Sequence, residues 1–189
     1  MEKNNIIEKN NGIIYANNLK EYNISRHGLR IMIEKGLIKR VIHGVYVSVD
    51  KRINEFWIMG EKYKNGIYSH NTALYFYNLT DRTPMMLDMT FPDNNRVSNG
   101  YLSVHYIKKD NHKLGLQKMK LKDDLEIQIY DLERTICDIV RDRNKMDPQI
   151  FNYAMKEYMK RKDKDFIKLY KYAKKLRIEN VIKKYMEVL

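Results

Sequence analysis

Three groups of side chains in this 189-residue sequence could do chemistry. The first is acidic: Asp131 ends the alternating stretch "LEIQIYD", and Glu133, Asp138 and Asp142 follow it, with Arg134 among them. Carboxylates gathered where a strand ends can hold Mg²⁺ through oxygen ligands, as a nuclease does. Against that reading, Arg134 and Asp138 stand at i, i+4 and can neutralise one another as an ordinary helix pair. The second is His70, near the start of a helix. No cysteine or acid stands at a ligand-like spacing from it, so it reads as a structural histidine rather than a base or a metal ligand. The third is basic: Ser25, Arg26, His27 and Arg30, then Lys35, Lys39, Arg40 and His43. Such side chains can read base edges and clamp phosphates.

There is no Gly-rich phosphate loop and no Cys/His metal set. The expectation is therefore a protein that is not an enzyme, with no catalytic residues, no cofactor and no metal site.

The formal charge of +12 points to an anionic partner, nucleic acid being the usual one. The 36 basic residues are 25 Lys and 11 Arg, in a chain also crowded with Asn, Ile and Tyr. An AT-rich coding sequence produces the same bias, so where the charge sits is more informative than its total. Residues 1–50 carry +3, 51–140 carry +1 and 141–189 carry +8. The ends need separate explanations.

The single cysteine, Cys137, excludes an intrachain disulfide, which fits a reducing compartment. The first residues lack the apolar run of a signal peptide, and no stretch reaches the roughly 18 apolar residues of a membrane span. A cytoplasmic protein without membrane contact is expected.

The elements that must position these groups follow from periodicity. The first ten residues suggest a short helix closed by Gly12, and Ile14 to Tyr22 a second. Ser25 can cap a third helix that begins at Arg26 and stops at Gly36. Leu29, Met32 and Ile33 form its apolar face, and Arg26 and Arg30 lie opposite. After Gly36, Leu37–Ile42 and Val45–Val49 are β-branched, with His43-Gly44 as the hairpin turn. Three helices and a hairpin make a winged helix-turn-helix. Its third helix would enter a major groove with Ser25, Arg26, His27 and Arg30 at the bases, and Lys35, Lys39, Arg40 and His43 at phosphates. Solvated charge on a small helical domain used for protein contacts is the competing reading.

Residues 51–64 suggest a linking helix, and Ser69 a cap for the helix in "YSHNTALYFYNL". "MMLDMTF", "YLSVHYIK" and "LEIQIYD" read as strands. Asp131 can cap "LERTICDIVRD", whose buried stripe is Leu132, Ile136, Ile139 and Val140. From the Asp147 cap and Pro148 onward the chain reads as helical to its end. The C-terminal lysines lie mostly off the apolar stripes, as either a solvated face or an anion-binding surface. The fold class is α+β: an N-terminal winged helix-turn-helix over residues 1–50, then an α/β domain over 51–189 ending in several helices.

Over nearly its whole length the sequence resembles the AbiEi antitoxins of type IV toxin–antitoxin systems, known from bacterial abortive phage infection. The resemblance rests on "NISRHGLRIMIEKGLIKRVIHGVYV" and, more specifically, on the order of "YSHNTALYFYNLTDRTP", "MTFP", "IYDLERTICDIVRD" and "FNYAMKEYMKRKDKDFIKLYKYAKKL". It implies a winged helix that binds inverted repeats in double-stranded DNA of its own promoter and represses its operon. It further implies a C-terminal domain that counteracts a nucleotidyltransferase-like toxin without a stable complex. Ser25, Arg26, Arg30, Lys39 and Arg40 match the basic helix and wing, while His70, Arg82, Asp131, Arg134 and Asp138 fall in the recurrent C-terminal motifs. The protein could be a monomer in solution or a dimer on DNA. An orphan winged-helix regulator, or a protein-interaction module without a toxin, is the alternative.

Overall fold

The computed structural model describes residue 7 and residues 9–188, so the helix expected over the first ten residues lies largely outside the described part. The fold is mixed α+β, with two separate sheets. Residues up to Tyr63, joined by Leu121–Leu125, form one compact unit; Lys64–Lys120 and the chain from Glu126 onward form the other. The boundary expected after residue 50 thus falls later. The reason is local, since helix α2 (Glu55–Lys62) packs on a strand of the first sheet and stays with it.

In the first unit, β1 (Ile13–Tyr15), β2 (Ile38–Ile42) and β3 (Val45–Ser48) form an antiparallel sheet in the order β1-β3-β2. The second helix expected from Ile14 to Tyr22 is absent. Ile13 and Ile14 pair instead with Val47 and Tyr46 of β3, and a 3-10 turn at Ala16–Asn18 follows. The ladder and full burial of Ile14 outweigh a helical spacing that the β-branched residues support poorly.

Helix α1 (Arg26–Glu34) starts where expected, with Ser25 Oγ accepting the Gly28 amide at 2.9 Å. It stops because Gly36 turns left-handed, φ +65°, and lets the Leu37 amide reach back to the Met32 carbonyl. Leu29 and Met32 are buried with Ile14, Leu19 and Ile38. Ile33, expected on the same face, is 40% exposed.

In the second unit the sheet order is β6-β5-β4-β8-β7, from β4 (Ile67–Tyr68), β5 (Leu87–Pro92), β6 (Leu102–Ile107), β7 (Leu116–Lys120) and β8 (Glu126–Tyr130). β5 and β6 run parallel, and so do β4 and β8; the other pairs are antiparallel. β5 is buried from Leu87 to Phe91, as an interior strand covered on both faces must be.

Helices α3 (His70–Phe76), α4 (Lys109–His112), α5 (Leu132–Arg141), α6 (Pro148–Lys160), α7 (Phe166–Leu176) and α8 (Glu179–Val188) complete the unit. α5 is its axis and packs against α3, α7 and α8. Leu132, Ile136, Ile139 and Val140 are buried as their spacing predicts, together with Tyr158, Leu169, Ala173 and Ile182. Glu133, Arg134 and Asp138, which lie off that apolar stripe, are buried as well. Among the described residues, no helix is long and apolar enough to cross a membrane.

Candidate functional site

The eight residues read as a DNA-facing set all reach solvent. Ser25, Arg26, His27 and Arg30 lie exposed on the first two turns of α1, and Lys35, Lys39, Arg40 and His43 are exposed on the helix end and the hairpin. Among the described residues, Arg26, His27, Lys35 and Lys39 have no side-chain partner. Arg30 pairs with Glu34 at 2.8 Å, but both are more than half exposed, so this pair holds Arg30 only weakly. On the hairpin, Arg40 Nη2 lies 2.7 Å from His43 Nδ1, and its Nε donates to the Ile42 carbonyl. The Ser25 hydroxyl is engaged as the cap, so its contribution is to fix where the helix begins.

The acids of α5 have the opposite character. Asp138 accepts from Arg134 Nε through both oxygens at 3.1 Å, with both side chains at 0% exposure, and Arg141 adds a second contact at 3.3 Å. Arg134 also donates from Nη1 to the carbonyls of Asn111 and Leu114, and its guanidinium lies 4.0 Å from the Tyr130 ring centroid. The pair is therefore a clasp that pins the α4 turn to α5. Gly115 completes it: a Cβ there would lie 2.5 Å from the Arg134 Cβ, at a φ of +76°.

At the other end of α5, Asp131 caps the helix through the Arg134 amide, and its second oxygen accepts from the Tyr172 hydroxyl at 2.9 Å. Burial and that bond push the Tyr172 phenol up to about 12. Lys168 bridges Asp131 at 3.2 Å and Glu133 at 2.9 Å; burial works against its ammonium, but bonds to the two carboxylates outweigh it and its pKa rises. Glu133 also accepts the Asp165 amide at the start of α7. Three of the acids considered as metal ligands, Asp131, Glu133 and Asp138, are thus held by cations and amides that join α5 to α4 and α7.

His70 lies in a second buried polar group that its sequence neighbours do not announce. Ser69 holds the N-cap position of α3, yet its hydroxyl does not cap; it accepts from Thr90 Oγ1 at 2.8 Å and lies 3.0 Å from His70 Nδ1. His70 Nε2 is 3.0 Å from Asp142 Oδ2, an acid partner 72 residues away that sequence spacing hid. The His70 backbone has φ +44°, a conformation costly to any side chain. Over its ring the His105 ring stacks at 3.6 Å and 10°, and His105 Nε2 lies 2.7 Å from Asp88 Oδ1.

The hydrogen bond from His70, against the cost of burial, holds the Asp142 carboxyl well below the usual carboxylate range; Arg141 adds to the effect. One nitrogen from each imidazole and one oxygen of Asp142 lie within 4.8 Å of one another, a spacing from which three ligands can reach one ion. Asp88, His105 and Asp142 were not singled out as partners of His70. The available signal was the strand "YLSVHYIK", whose alternation puts His105 on the same face as Ser103.

Arg82 stands apart from both groups. It is half exposed and reaches Asp147 at 3.0 Å and Gln149 at 2.7 Å, tying the segment after α3 to the start of α6. The five residues of the C-terminal motifs therefore divide three ways: Asp131, Arg134 and Asp138 on α5, His70 in the histidine cluster, and Arg82 at the α6 cap.

No protein-family profile matches this chain, and no curated protein does. Among solved structures it is similar to the crystal structure of the RV2827C protein from Mycobacterium tuberculosis, with a TM-score of 0.54 at 12% identity. The alignment covers 86% of this chain and 66% of that one, so the chain spans just under two-thirds of that protein's length. At this identity the likeness concerns the fold alone.

Proposed function

We propose that this protein is a DNA-binding antitoxin of the type IV class, whose first unit is a winged helix that represses its own operon and whose second unit counteracts a nucleotidyltransferase-like toxin. The observation that carries the DNA-binding half is the joint exposure of Arg26, His27, Lys35 and Lys39, free of partners, on α1 and the hairpin that follows it. The strand order β1-β3-β2 supports the winged-helix reading, because it braces the hairpin beside α1 and gives the ribbon a fixed direction. A helix of this length spans about 14 Å and fits a major groove, while the hairpin meets the flanking backbone. The antitoxin half rests on the sequence resemblance.

The test is a salt titration of binding to the DNA upstream of the gene, against a scrambled duplex, with wild type and Arg26→Ala/Arg30→Ala. Two winged helices with about three phosphate contacts each give a slope near −5, an affinity loss of about a thousandfold between 50 and 200 mM salt. The double variant is expected to bind both duplexes alike. Equal wild-type affinity for the two duplexes would sink the repressor reading. Co-expression with a neighbouring toxin gene separates an antitoxin from an orphan regulator, since only the first restores growth.

A further inference from the structure

We propose that His70, His105 and Asp142 form a binding site for one d-block divalent cation, with Zn²⁺ the best match. Two imidazoles and a carboxylate suit a borderline ion of this kind, whereas Mg²⁺ prefers an all-oxygen shell. Tetrahedral Zn²⁺, with bonds of about 2.0–2.1 Å, holds its ligand atoms roughly 3.3 Å apart. His70 Nε2 and Asp142 Oδ2, 3.0 Å apart, already have nearly that separation. His105 supplies the third ligand by turning its ring out of the stack on His70.

The surroundings are those a metal site requires. A ligating histidine is fixed by a hydrogen bond to its other nitrogen. For His70 that bond is to Ser69 Oγ on Nδ1, continued to Thr90; for His105 it is to the Asp88 carboxylate on Nε2, which leaves Nδ1 for the ion. Ser69, Thr90 and Asp88 are themselves buried, so these partners are held in place. Binding exchanges the proton between His70 Nε2 and Asp142 for the cation. His70 then carries that proton on Nδ1 and donates it to Ser69 Oγ, whose own hydroxyl turns to donate to Thr90 Oγ1, so that the Thr90 hydroxyl gives up its bond to Ser69.

Two cations also face Asp142. Arg141 lies 3.3 Å from Oδ2 and has Asp138 as its other partner; Lys145 lies 3.7 Å from Oδ1 and is 83% exposed, free to swing away. The site is independent of the DNA-binding face, so failure of either proposal leaves the other standing.

The experiment uses the full chain, stripped with a chelator and titrated with Co²⁺ while its visible d–d absorption is followed, then challenged with Zn²⁺ and separately with Mg²⁺. The expected result is one Co²⁺ per chain, displaced by Zn²⁺ and not by Mg²⁺. His105→Gln should weaken binding at least tenfold, and Asp88→Asn by about 10- to 100-fold as a positioning residue. Thermal melting of each variant reports whether it folds. In the wild-type protein, which needs no variant, Zn²⁺ should shift the ring resonances of His70 and His105 and leave those of His27, His43 and His112 in place. Absence of stoichiometric binding, shifts confined to His27 or His43, or unchanged affinity in a folded His105→Gln variant would each overturn the proposal.

Discussion

Asp138 and Arg134 illustrate how far burial changes the meaning of a residue pair. On a solvated helix such an i, i+4 pair contributes a few tenths of a kcal/mol. Here both charges have left water: Arg134 depends on Asp138 and on the Asn111 and Leu114 carbonyls, and Asp138 on Arg134 and on Arg141. Removing one partner strands the other, so Asp138→Ala is expected to cost about 3–5 kcal/mol. Replacing both with apolar residues of similar volume, as in Arg134→Met/Asp138→Leu, should cost distinctly less, because no charge is left buried alone. Urea unfolding of the two variants at neutral pH decides this; equal losses would mean that the guanidinium's contacts to the α4 turn, rather than the ion pair, hold the region.

At the scale of elements, the start of α1 depends on one hydroxyl. Ser25→Ala removes the acceptor of the Gly28 amide and should cost about 1 kcal/mol, whereas Ser25→Gly should cost only a few tenths. A thermal melt of the first unit's signal in the two variants checks the ordering, and an equal drop would mean that the hydroxyl is not the cap that matters. The signals here are local, and that is why α1, its Gly36 stop, the β2–β3 hairpin, the strands β5, β6 and β8, and the helices from Asp131 onward were legible in the sequence. β1 was not, because Ile13-Ile14 choose a ladder with β3, a partner more than 30 residues away, over a helix of their own. The two-residue β4 and the mainly exposed β7 leave too little pattern to read. The same division holds for the candidate sites. The basic face was visible because it lies on consecutive local elements. The histidine cluster was not, since His70, Asp88, His105 and Asp142 meet only once the second sheet and α5 have assembled.

Across the whole molecule, the charge of +8 in residues 141–189 exceeds that of the first fifty residues, yet its surroundings differ. Lys168 is held by Asp131 and Glu133, Lys160 pairs with Glu157, and Lys183 with Glu179. Lys171, Lys174 and Lys175 are exposed on α7, whose other face is buried on α5. Such a row is what an amphipathic helix presents to water, and it needs no ligand to account for it. In the DNA binding proposed above, the total charge would act only at long range, and screening confines that field to about 10 Å at 0.1 M salt. The number of counterions released is instead set by the cations that touch phosphate. Lys171→Glu/Lys174→Glu/Lys175→Glu should therefore slow association at low salt while leaving the slope of log affinity against log salt within about one of the wild-type value. Lys35→Ala/Lys39→Ala, at the positions read as phosphate contacts, should reduce that slope although it removes fewer charges. If the α7 variant flattens the slope by two or more, those lysines contact the phosphate backbone, and the DNA surface extends to the second unit.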